Sequence, residues 1–205
     1  MGFERPPLFV DLDGTLVRTD TTVECILALL NRPLRLASAL CALRHGRAAT
    51  KHSIAAAVAL EPSRLIYNEG LLARLREEAA AKRLLVLATG ADQQIAAAVA
   101  AHLGLFEAVL ASDGKTNLVG RSKLAAIRRM VGGRPFSYAG NERKDLVIWR
   151  AAESAILVGA SERLRRAVAA TTRIEEIFDA PASRPRRFAP GTDRGPRIRH
   201  RQARR

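Results

Sequence analysis

Two carboxylates two residues apart close a short apolar run, Leu8-Phe9-Val10-Asp11-Leu12-Asp13, and Gly14-Thr15-Leu16 follow at once. The run has strand composition, and Gly14 marks its break into a turn. Acids at the C-terminal end of a strand in an α/β protein lie where such sheets bind ligands. Burying them is costly unless something cationic neutralises them. A divalent metal and a phosphate-handling reaction account for the pair. A strand end followed by an Asx turn is the plainer alternative.

The hexapeptide Asp11-Leu12-Asp13-Gly14-Thr15-Leu16 resembles the first motif of the haloacid dehalogenase (HAD) superfamily, most of whose members are Mg²⁺-dependent phosphatases. That resemblance implies a hydrolase of phosphoric monoesters working on a small phosphorylated metabolite. Asp11 would attack phosphorus to form an aspartyl-phosphate. Asp13 would protonate the leaving oxygen and later take a proton from water. Mg²⁺ would be bound by Asp11, the backbone carbonyl of Asp13 and the phosphoryl group. The second motif is a Thr or Ser at a strand exit, which places Thr89 and Gly90 on the phosphoryl oxygens. The third is a lysine that neutralises the phosphoryl group. Lys123 matches it, with Lys115 as a competitor in the same loop. The fourth is usually Gly-Asp-x-x-x-Asp. Here Gly140 and Asp145 match, but Asn141 stands where the first acid is expected. An amide offers Mg²⁺ a neutral oxygen and no charge, so metal affinity should fall and catalysis should be weakened. Glu142 is the neighbouring acid that would have to substitute. The expected metal set is therefore Asp11, Asp13, Asn141 and Asp145.

A finer pattern rests on Tyr67-Asn68-Glu69, on Ala-Ser-Asp-Gly-Lys-Thr-Asn-Leu at 111–118 and on Tyr138-Ala139-Gly140. It is similar to the soluble HAD-like domain found N-terminal to UbiA-family prenyltransferase domains. This implies a membrane prenyltransferase as partner or fused domain and a regulatory or docking role as the alternative to catalysis. The present sequence would then be a stand-alone relative or a truncated fusion. Asn68 would bind substrate at the cap entrance, or else cap a helix.

The elements that must position these residues read as an alternation. A first strand is expected over 7–13. Helical signals fill 20–60: Thr19 or Asp20 as N-cap, Pro33 opening a second helix to about Arg44, and an Ala-rich helix after Gly46. Leu71, Leu72 and Leu75 suit one helix face. Leu84–Ala88 is a continuous apolar run of the kind buried on both faces of a parallel sheet. Strands at 108–112, 135–139 and 155–158 then alternate with helices near 92–102, 122–131, 143–152 and 162–170. The fold class expected is α/β, a three-layer Rossmann-like parallel sheet with a small helical cap inserted after the first strand. Residues 1–17 and 83–180 would form the core, 18–82 the cap and 181–205 a disordered basic tail.

Composition agrees with one domain. The 205 residues are 48% hydrophobic but only 4% aromatic, so the interior must rely on aliphatic side chains. The net charge of +14 is uneven: residues 181–205 hold nine Arg and one Asp. Such a tail could meet anionic membrane through phosphate contacts. No aromatic spacing accompanies it, so nucleic acid is not expected as a partner. Cys25 and Cys41 fit neither a disulfide framework nor a zinc site. With no signal-peptide pattern and no apolar run of membrane length, the expectation is cytoplasmic, with peripheral attachment at the inner membrane face as the variant.

Overall fold

The computed structural model describes residues 5–58 and 60–179. The expected tail, 181–205, lies outside them. Six strands form one parallel sheet: β1 (Leu8–Val10), β2 (Leu85–Asp92), β3 (Ala108–Ser112), β4 (Ser137–Gly140), β5 (Ser154–Val158) and β6 (Arg173–Phe178). Their spatial order is β3-β2-β1-β4-β5-β6. Every neighbouring pair is parallel, Val10 standing level with Leu87 on one side and Ala139 on the other. The order reverses between β1 and β4, and the crevice beyond the strand ends at such a switch point is where these sheets bind ligands.

Each face of the sheet carries its own core, because successive strand residues point to opposite sides. Leu8 and Val10 pack with Leu71, Leu72, Leu75, Ile95 and Val99, on α4 (Glu69–Ala80) and α5 (Gln93–Leu103). Phe9 packs on the other side with Ile127, Tyr138, Trp149 and Leu164, under α6 (Arg121–Val131), α7 (Leu146–Trp149) and α8 (Glu162–Ala169). This is the three-layer arrangement expected.

The helical insert follows β1. It contains α1 (Thr21–Leu29), α2 (Pro33–Leu40) and α3 (Arg47–Ala57). Asp20 caps α1, accepting from the Thr22 and Val23 N–H groups, and Pro33 opens α2 with no N–H to lose. Cys25, Leu29, Ala39, Ile54 and Ala55 join the first core, so the insert is packed onto the sheet rather than tethered to it.

Three expectations need correction. The first strand is only Leu8–Val10; the acids lie beyond it, in the turn. The helix expected over 143–152 is a 3₁₀ turn at Arg143–Asp145 followed by the single turn α7. A sixth strand, β6, was not foreseen. Arg173, Glu175 and Glu176 break its apolar alternation, and pairing with β5 overrides that weak local preference.

Candidate functional site

Beyond Val10 the chain keeps one further sheet contact, the Asp11 N–H donating to the Ala139 carbonyl at 3.0 Å. It then turns at Gly14, whose φ of +71° is in the left-handed region that favours glycine. A Cβ at Gly14 would lie 2.2 Å from the amide nitrogen of Asn141. Asn141 is thus seated directly on the turn that carries Asp11 and Asp13. The Thr15 hydroxyl donates to its amide oxygen at 3.2 Å.

Asp11 is buried, and one of its oxygens accepts from Lys123 Nζ at 2.8 Å. Lys123 reaches it from the first turn of α6 and is itself buried. Of the two candidate lysines, Lys115 is exposed at the loop tip, where its N–H donates to Asp113. Loop bonds aim α6: the Ser112 hydroxyl accepts from Leu118 N–H, and that of Ser122 donates to the Asn117 carbonyl.

Lys123 also donates to the Tyr138 hydroxyl at 2.9 Å and stands 5.5 Å from the ring centroid. That hydroxyl donates to Asp145 Oδ1 at 3.1 Å, and Lys123 Nζ lies 3.9 Å from the same oxygen. The other Asp145 oxygen accepts the Glu142 N–H at 3.3 Å. Glu142 and Asp145 form a reciprocal capping box. Glu142 also pairs with Lys144 at 2.8 Å and is partly exposed, so it does not replace the missing acid. Gly140 allows this crowding: a Cβ there would fall 2.9 Å from Asp145 Oδ2. Burial holds the Asp145 carboxyl and the Tyr138 phenol above their ordinary pKa values.

Asp13 stands apart from that chain. Its carboxylate accepts the Thr21 N–H at 2.8 Å, from the start of α1. Burial raises its pKa to about 6, against the lowering effect of that bond. The insert therefore clasps the second acid, while the core holds the first.

Thr89 is fully buried in β2, the strand beside β1. The strand does not end there as expected. Register with β3 slips between Ala88 and Asp92, so residues 89–91 form an irregularity and Asp92 pairs again. Bulges of this kind re-aim groups beside sites. The Thr89 hydroxyl accepts the Ala91 N–H at 2.9 Å. The Gly90 carbonyl accepts from Lys51 Nζ at 2.9 Å and Ser112 Oγ at 3.0 Å. Asn68 is the N-cap of α4, its amide oxygen taking the Leu71 N–H.

Three participants were missed. Tyr138 lies within the Tyr-Ala-Gly motif, and it is the residue that joins Lys123 to Asp145. Lys51 and His52, on α3, fasten the insert to β2, the latter through Nδ1 to Asp92 at 2.9 Å. No spacing rule links residues about forty positions apart. A buried phenol beside a strand-end glycine was the only available signal.

The metal that the family resemblance implies can be tested against this donor set. Among the described residues no group of three or more His, Cys, Asp or Glu side chains is placed to hold an ion. Asn141 sets its amide nitrogen over Gly14, and its amide oxygen, held by the Thr15 hydroxyl, is on the same turn that carries Asp11. Oxygen-only donors with one carboxylate suit Mg²⁺, which often adds substrate phosphate and water. The set fits in kind, with less charge than two acids would supply.

Comparisons with known proteins bear on the family and the fold. The haloacid dehalogenase-like hydrolase family model matches residues 8–150, and the chain belongs to that family. An uncharacterized protein, y4nM, of Sinorhizobium fredii is 38% identical over 159 residues, covering 77% of this chain and 31% of its own. The chain thus spans about a third of that relative's length. Among solved structures, a protein of unknown function from Bordetella pertussis Tohama I superposes with a TM-score of 0.62 at 17% identity, over 83% of this chain and 97% of its own. A phosphoserine phosphatase in apo form gives 0.58 at 15% identity, over 86% and 94%. A phospho-aspartyl intermediate analogue of phosphoserine phosphatase gives 0.55 at 15%, over 86% and 95%. At such identities these likenesses concern the fold.

Proposed function

We propose that the protein hydrolyses a small phosphoric monoester through an aspartyl-phosphate on Asp11. The observation that carries this reading is the buried Asp11–Lys123 pair at the switch point of a HAD-like sheet, 2.8 Å apart. An ammonium held against the nucleophile offsets the charge of an arriving phosphoryl group. Tyr138 and Asp145 fix where that ammonium sits. Asp13, with its raised pKa, is suited to donate a proton to the leaving oxygen at mildly acid pH. Thr89 and Gly90, in the β2 irregularity, are assigned to the phosphoryl oxygens, and Asn68 to the entrance only through its capping of α4. Mg²⁺, held by Asp11, the Asp13 carbonyl and Asn141, would screen the repulsion between carboxylate and phosphate. Asp145, expected as a metal ligand, has its two oxygens engaged by the Tyr138 hydroxyl and the Glu142 N–H, and it would instead steady that corner from behind Lys123.

The test is turnover of a panel of small phosphate esters, with Asp11→Asn as control. Hydrolysis that survives in the variant unchanged ends the reading. Asn141 favours a second reading, a catalytically weak or inactive domain of a longer protein, with a regulatory or docking role toward a membrane prenyltransferase. In its inactive form it predicts neither turnover nor phosphoenzyme at any Mg²⁺ concentration.

A further inference from the structure

The outer surface of the helical insert is unusual in both polarity and charge. Leu27, Leu30 and Leu43 are each more than half exposed, and Leu34 is 86% exposed. Val23, Leu27 and Leu30 follow helical spacing along one side of α1, and Leu34 begins α2 directly after it. Apolar side chains scattered singly need no explanation, but a run of them on adjoining helices does. Apart from Glu24, which lies between Val23 and Leu27, the charges among them are all of one sign. From Cys25 to Leu60 the chain has five Lys or Arg and no Asp or Glu. Arg32, Arg35 and Arg44 of that set are exposed beside the leucines. Asp20 and Glu24 lie at its N-terminal edge and Glu61 just beyond its end.

We infer that this face of α1 and α2 docks on the surface of an anionic lipid bilayer. Leucines that enter the headgroup boundary, flanked by arginines that meet lipid phosphates, are what a peripheral interfacial helix needs. A second copy of the chain would set like-charged arginines against one another. Nucleic acid would leave the leucines uncovered. The inference stands on the insert alone and does not depend on the hydrolase reading or on residues 181–205.

The test is flotation of the full-length protein with phosphatidylcholine vesicles that contain or lack phosphatidylglycerol. Binding is expected only to the anionic vesicles, weakening as salt rises. Arg32→Ser with Arg35→Ser should lower the partition roughly thirtyfold at low salt, from the usual attraction per basic residue. Leu30→Asp with Leu34→Asp should lower it at least about tenfold, with an unchanged unfolding midpoint because both side chains face outward. The tail arginines remain in every variant, so binding that the insert variants leave intact belongs to the tail and overturns the inference. Failure to float, or equal binding to neutral vesicles, also overturns it. So does a vesicle-independent dimer that Leu34→Asp dissociates.

Discussion

Two buried charge networks sit at opposite ends of the same sheet. At the C-terminal end are Asp11, Lys123, Tyr138 and Asp145. At the N-terminal end Arg83, buried just before β2, donates to the Pro6 carbonyl at 2.7 Å, to Ser137 Oγ at 2.6 Å and to Glu78 at 3.2 Å, and reaches Glu175 at 3.5 Å. Glu78 is also paired with Arg5 and Arg74, and Glu175 accepts from Ser154. Arg83 spends its guanidinium fork on partners from four segments and leaves little for a ligand. Asp11, by contrast, gives one oxygen to Lys123, and among the described residues no side chain takes the other. Both networks are ionic and buried; only one has spare valence, and it lies at the switch point. Burial of charge therefore does not mark a site by itself; an unfilled coordination place at the ligand-binding end does.

Lys123→Met should break the distinction most visibly. Loss of the ammonium leaves Asp11 and Asp145 facing each other and should lower kcat on the order of 10²–10³-fold, read in the ester assay. Arg83→Met should do the converse. Leaving Glu78 and Glu175 without their buried partner should cost about 3–5 kcal/mol in urea unfolding, while kcat of the folded fraction holds. A fall in kcat equal to that of the lysine variant would erase the contrast. Asn141→Asp sharpens the comparison from the other side. It adds the missing charge at the ligand end and should tighten Mg²⁺ about tenfold, read by calorimetric titration. Unchanged affinity would mean that the amide is not at the cation position.

The smallest effect expected is that of Glu175→Gln. Burial alone would raise the pKa of Glu175, but the Ser154 hydroxyl and the Arg83 guanidinium outweigh it, and the value is held below the ordinary one. A depressed carboxyl adds stability above its unfolded pKa and loses it as pH falls through the folded value. Wild type should therefore exceed the variant by about 1 kcal/mol near neutrality. The two unfolding curves should converge in acid below the glutamate range. A gap that persists there would assign the effect to packing.

Much of the fold was legible because its signals are local. Apolar runs of strand length, Pro33 at a helix start and Asp20 at a cap need only their neighbours. Asp11-Leu12-Asp13-Gly14-Thr15 was legible for the same reason, since the turn demands its glycine. The choice of Lys123 over Lys115 was open in the chain and closed only by α6, whose first turn brings Lys123 to Asp11 while Lys115 stays exposed. Asn141 could be seen to lack a charge. That it rests on the turn at Gly14 could not, because Thr15 of that turn meets Asn141 across 126 positions.

The sequence by itself determined the strand-and-helix alternation, the acid pair and the missing fourth-motif carboxylate, because each is written in residues that touch along the chain. Tertiary structure decided which lysine neutralises Asp11, that Tyr138 relays it to Asp145, that β6 closes the sheet and that Thr21 holds Asp13. Those outcomes depend on parallel crossovers bringing distant strand ends together, and no local preference encodes which distant groups then meet.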